Sequence, residues 1–134
     1  MAKEAINPDG LPAPVGPYSN VVATPPGRLV FCAGQVALDA DGKVVGAGDI
    51  VAQTRQVMEN LKLGLEAAGA SFADVVKIIN YITDANEFSK MAGVRQEYLK
   101  EPYPASTLIE VQALMFPELL IEIEAIAVVA EAGD

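Results

Sequence analysis

The stretch from Asp49 to Thr83, DIVAQTRQVMENLKLGLEAAGASFADVVKIINYIT, decides the fold, because its hydrophobic period changes partway along. In its first part Ile50, Thr54, Val57, Met58, Leu61, Leu65 and Ala68 recur at helical spacing and form one apolar stripe. Asp49 suits the N-cap of that helix and Gly69 its C-cap. Ser71 to Asp74 then resembles a single capped turn, and Val75 to Thr83, rich in β-branched residues, predicts a strand.

Working outward toward the C-terminus, Asp84 and Glu87 stand at capping-box spacing and open a second helix that runs to about Leu99. Its stripe is Phe88, Met91, Ala92, Arg95, Tyr98 and Leu99, and Pro102 and Pro104 end it. Two strands follow. Thr107, Ile109, Val111 and Ala113 alternate with Ser106, Leu108, Glu110 and Gln112. Leu120 to Ala130 puts Glu122 and Glu124 on one face, with Ile121, Ile123 and Ala125 on the other. Toward the N-terminus, the nearly continuous apolar run Leu29 to Leu38 predicts a strand buried on both faces. Asp41-Gly42 marks a tight turn, and Lys43 to Val45 starts a short return strand. Pro8, Pro12, Pro14 and Pro17 predict an extended arm or loop before it.

The order β-β-α-β-α-β-β predicts one α+β domain over residues 1–134, a mixed sheet with both helices on one face. The other face is left to be buried by neighbouring subunits. Composition points the same way, since 51% hydrophobic residues exceed what a small soluble monomer needs to hide. A formal charge of −9, with the nine Lys and Arg spread singly, opposes binding to nucleic acid or anionic membranes. Without histidine there is no His-based triad, imidazole base or His-ligated zinc. The acidic residues lack metal-ligand spacing and no Gly-rich phosphate loop is present. One cysteine, Cys32, excludes an internal disulfide. Met1-Ala2-Lys3-Glu4 leads into polar, Pro-rich sequence rather than a signal peptide, and Glu122 and Glu124 interrupt the best candidate span, so a cytoplasmic protein is expected.

Several motifs in order resemble the reactive intermediate deaminase family, the RidA or YjgF group, also labelled endoribonuclease L-PSP or translation inhibitor. They are Gly16-Pro17-Tyr18-Ser19, Cys32-Ala33-Gly34-Gln35, Asn60-Leu61-Lys62 with Glu66 to Ala70, Thr83-Asp84, Pro104-Ala105, and Ile121 to Ala127. The resemblance covers essentially the whole chain. It implies a chorismate-mutase-like fold, a homotrimer whose sheets form a central barrel, and three clefts between subunits. In the best-known branch these clefts hydrolyse enamines and imines to keto acids and ammonia, without a cofactor.

By the same resemblance Tyr18 lines the cleft, Ala33 and Gly34 stand where a Ser-Gly pair forms its floor, and Glu124 positions the attacking water. Phe88, Ala105 and Leu108 belong with the substrate-binding positions. The family's Pro-Ala-Arg-Ser reads Pro104-Ala105-Ser106-Thr107 here, so Ser106 replaces the arginine that clamps the substrate carboxylate. Ala92 stands where an asparagine is common and Leu108 where a cysteine is common. Exchanging a bidentate guanidinium for one hydroxyl costs about 1.5–3 kcal/mol in a desolvated cleft, or one to two decades in affinity at roughly 1.4 kcal/mol each.

Each of these residues also has a structural explanation. Arg95 is the only cation on its helical stripe: it either replaces the missing charge or packs its stem and sends its head to water. Tyr18 alone would be a packed aromatic after a proline turn. Glu122 and Glu124 would equally suit a solvated sheet face, with Cα atoms roughly 6.5–7 Å apart. Cys32 reads as a small strand residue and Ser106 lacks any base to activate it. Three functions therefore compete. They are an enamine/imine hydrolase with altered substrate choice, a non-catalytic small-molecule-binding trimer, and, last because of the charge, an endoribonuclease.

Overall fold

The computed structural model describes residues 3–131; the Met1-Ala2 start of the sequence and residues 132–134 of the expected domain lie outside the described residues. Six strands and two α-helices follow one another: β1 Glu4–Ile6, β2 Val21–Ala23, β3 Gly27–Val36, α1 Ile50–Ala67, β4 Val75–Ile82, α2 Phe88–Gln96, β5 Ala105–Glu110 and β6 Ile121–Ala130.

Helix α1 begins and ends where its caps require. The Asp49 carboxylate accepts from the amides of Val51 and Ala52 at 3.0 and 3.1 Å. Gly69 takes φ +76°, and the amides of Gly69 and Ala70 donate back to Glu66 and Leu65 in a Schellman closure. The stripe is buried from Ile50 to Leu65. Gln53, which the apolar stripe omits, is also fully buried. Its amide donates to the carbonyls of Gly46 and Glu118 and accepts from Leu120, so it ties two loops to the helix.

Strands β3, β6, β4 and β5 form a four-stranded sheet in that order, antiparallel except for β4–β5. The parallel pair is possible because α2 supplies the crossover. Ile78, Ile82, Ile121, Ile123, Ala125 and Ala127 meet Val57, Met58, Leu61, Leu65 and Met91 in one buried cluster, so the helices cover one face of the sheet. The opposite face carries Leu29 and Phe31, which are 59% and 70% exposed. Within one chain the β3 run is thus buried on its helix-facing side alone, and its outer residues stand on the face that the sequence leaves to neighbouring subunits.

Three local expectations change as well. The return strand at Lys43–Val45 is a single bridge, Leu38 to Val44. Glu87 does not close a capping box on Asp84; its carboxylate pairs with Lys90 at 3.2 Å, while Asp84 alone caps the Asn86 amide at 3.0 Å. Helix α2 is correspondingly shorter, preceded by one 3₁₀ turn over Ala85–Glu87. Finally, the proline-rich arm is anchored. β1 pairs with β2, Ser19 bridges Ala105 at the free edge of β5, and the Ser19 amide and hydroxyl donate to the carbonyls of Pro104 and Tyr103 at 2.9 and 2.6 Å.

Candidate functional site

The arm, α2 and β5 converge on a cavity of about 270 Å³ lined by Val15, Pro17, Tyr18, Phe88, Arg95, Ser106 and Leu108. Five residues singled out in the sequence therefore meet here: Tyr18, Phe88, Arg95, Ser106 and Leu108. Each arrives for a local reason. Tyr18 is held by the Ser19 anchor on β5. Phe88 is the first residue of α2, and Arg95 lies two turns on. Ser106 and Leu108 alternate onto the helix-covered face of β5, in register with Ile78 and Asn80 of β4.

Arg95 is 2% exposed, so its head does not reach water as a stem-packing role would have it. Its contacts are long: Nη1 to Met91 Sδ at 3.6 Å and Nη2 to the Pro17 carbonyl at 3.4 Å. Nε is buried without a partner. Desolvation lowers its pKa to about 10, so the group remains a cation at neutral pH. Ser106 Oγ accepts from Asn80 Nδ2 at 2.9 Å, which leaves the hydroxyl proton to donate. Asn80 is fully buried and also reaches the Thr107 carbonyl at 2.8 Å. Its position could have been found in sequence, because it shares parity with Ile78 and Ile82 in an apolar strand, where a polar side chain must have partners.

The remaining candidates lie elsewhere. Glu124 is in register with Ile79 on β4, and so faces away from Ser106 across the sheet. It accepts from the Tyr81 hydroxyl at 2.5 Å, and that bond to Glu124 raises the tyrosine's pKa. Tyr81 is a second residue that the sequence motifs did not mark. Ala33 and Gly34 sit where the β3–β6 register slips between Cys32 and Gln35. A Cβ on Gly34 would collide with Glu122 Oε2, so the glycine lets that carboxylate lie against the strand. Ala105 shares the outer face with Lys77, next to the Ser19 bridge. Cys32 is half-buried with its thiol pushed up by desolvation, the opposite of an activated nucleophile. Among the described residues no cluster of His, Cys, Asp and Glu could hold a metal ion, and no helix is long and apolar enough to cross a membrane.

Comparison with known proteins finds relatives along almost the whole chain. The family model described as "Endoribonuclease L-PSP" matches residues 10–129. A RutC family protein of Pyrococcus abyssi is 46% identical over 127 residues, covering 95% of this chain and 98% of the relative. The 3-aminoacrylate deaminase RutC of Acinetobacter baylyi is 39% identical over 127 residues, with 95% and 98% covered. Among solved structures, the Rid family protein YyfB of Yersinia pestis, described as of unknown function, superposes with a TM-score of 0.85 at 41% identity, covering 96% of this chain and all of that one.

Proposed function

Because this chain belongs to the endoribonuclease L-PSP family, the RidA/YjgF group, and has its chorismate-mutase-like α+β fold, we propose that it is a single-domain protein over residues 1–134 acting as a cofactor-free enamine/imine hydrolase. Its sites are inter-subunit clefts of a cytoplasmic homotrimer. The observation that carries this reading is the division of the site residues between the two faces of one sheet. Tyr18, Phe88, Arg95, Ser106 and Leu108 line the cavity on one side, while Glu124 faces the other way with Tyr81. No movement of one chain short of unfolding its sheet joins them, so a second copy must bring its Glu124, with its Ala33-Gly34 segment, to the first copy's cavity.

The chemistry asks little of the protein. Glu124 accepts a proton from water as the oxygen adds to the C=N carbon, and hands a proton to nitrogen. The hydroxyl proton of that adduct then passes through Glu124 to the nitrogen, and the C–N bond breaks, releasing ammonia and leaving a carbonyl. Backbone amides near Gly34 and Ala105 hold the developing charge. Such substrates are reactive already, so positioning supplies most of the rate.

The same family includes a relative named for 3-aminoacrylate deamination, which supports the reaction class. The neutral Ser106 supports altered substrate choice, and it is also the observation favouring the second reading, a trimer that binds without turnover. RNA cleavage fits the −9 charge poorly. The deciding test generates 2-aminoacrylate in situ with a Ser/Thr dehydratase, supplies 3-aminoacrylate in parallel, and follows loss of the enamine and release of ammonia. Acceleration that Glu124→Gln abolishes is expected. No acceleration of either compound, with a small ligand still bound at the cleft, would establish the non-catalytic reading.

A further inference from the structure

Arg95 poses a problem the fold does not solve by itself. A guanidinium that is 2% exposed ordinarily has a carboxylate partner, because an uncompensated buried charge costs several kcal/mol. Neither ion pair among the described residues involves it; those join Arg55 to Glu97 and Lys90 to Glu87. Among the described residues a thioether and one distant carbonyl are the only hydrogen-bond partners of the guanidinium, and Nε has none. A methionine or leucine would fill the same space at lower cost, so packing does not account for a charged group here.

The cavity beside it does. Arg95 is the only cation on its wall, Ser106 has a hydroxyl proton to give, Tyr18 adds a phenol, and Val15, Pro17, Phe88 and Leu108 make the remainder apolar. We infer that Arg95, reaching in from helix α2, together with the Ser106 hydroxyl, forms the anion receptor of this cleft, and that its ligand is a small organic carboxylate with an apolar body. One guanidinium fork matches one carboxylate with two parallel hydrogen bonds. A phosphate dianion would enter the same apolar walls with half its charge unanswered. At about 270 Å³ the cavity lies just under the usual range for small-molecule sites, which fits a compact ligand rather than a nucleotide. The specificity of the cleft thus comes from a helix, while β5 contributes a neutral donor. This inference rests on the cavity being the ligand site proposed above.

Isothermal titration calorimetry on the intact protein, in carboxylate-free buffer at neutral pH, tests it with benzoate, the neutral isostere benzamide, and inorganic phosphate. Benzoate is expected to bind at least about tenfold more tightly than either control, one fork-held charge-assisted pair being worth that much. Arg95→Met is expected to remove that advantage, weakening benzoate far more than benzamide, and to melt no lower than the wild type in the absence of ligand. Arg95→Lys, which keeps the charge and loses the fork, should bind benzoate weakly and narrow its lead over benzamide, and decides the matter if the methionine variant fails to fold. Equal affinity for benzoate and benzamide, tighter binding of phosphate, no benzoate binding, or benzoate binding indifferent to both substitutions overturns the inference. Selective benzoate binding without enamine hydrolysis sinks the hydrolase alone. Hydrolysis with binding indifferent to Arg95 sinks the receptor alone.

Discussion

Ser106 and Arg95 share one wall of the cavity, and their pairing makes a prediction independent of any ligand. Ser106→Arg restores the family's charged position on β5, yet places a second guanidinium against one already short of partners. Like charges in a desolvated pocket repel. Ser106→Arg should therefore cost stability in the wild-type background and cost markedly less when combined with Arg95→Met. A double-mutant cycle from chemical denaturation should return a coupling of about 1 kcal/mol or more, within the range for residues in contact; additivity would separate the two sites. At this scale the sequence was informative about identity and poor about environment. It marked Arg95 as the lone cation of an apolar stripe, and it offered solvent as the head's destination because nothing in a helical pattern says what stands above the residue. The arm that closes over it comes from 78 positions away.

Among the elements, α1 was the most legible, since its stripe and both caps act within a few residues of one another. The β1–β2 pair was not. It joins residues from opposite ends of a proline-rich segment through backbone hydrogen bonds, which leave no side-chain period. Glu87 shows a milder version, having the spacing for a capping box but finding Lys90 one turn on. Gln53 was invisible for a different reason: a polar residue beside a stripe ordinarily faces water, whereas here it joins three loop groups. Gln53→Leu should strip those partners and leave buried amide and carbonyl groups unpaired. A loss of about 2–3 kcal/mol is expected from urea unfolding, and Gln53→Glu, which keeps only the acceptor, should recover part of it at most.

For the whole molecule, the uncovered sheet face is the decisive feature. Leu29 and Phe31 stand out from β3, and Ile109 on β5 is 40% exposed on the same side. Burying an aromatic of that size contributes about 1.5–3 kcal/mol, which a subunit interface supplies and a monomer forgoes. Sedimentation equilibrium should give three times the chain mass for the wild type. Phe31→Glu should lower it toward the monomer and abolish turnover together, although Phe31 is not among the cavity-lining residues. A wild-type monomer at micromolar concentration that still turns over substrate would refute the shared cleft. The sequence carried this expectation through its excess apolar content, but it could not say which half of β3 was free, because an unbroken apolar run hides the alternation.

The anchoring of the arm by Ser19 joins functions that might have been separate. Along the open flank of β5 the backbone would otherwise invite a foreign strand, and Ser19 occupies that flank while the adjoining Pro17 and Tyr18 form part of the cavity wall. A protease cut or a bulky fusion near residue 10 would act on both at once, leaving a leaky pocket on a chain newly prone to stacking with its own kind. Solubility and ligand retention should fail in step, with one segment serving as both gasket and guard rail.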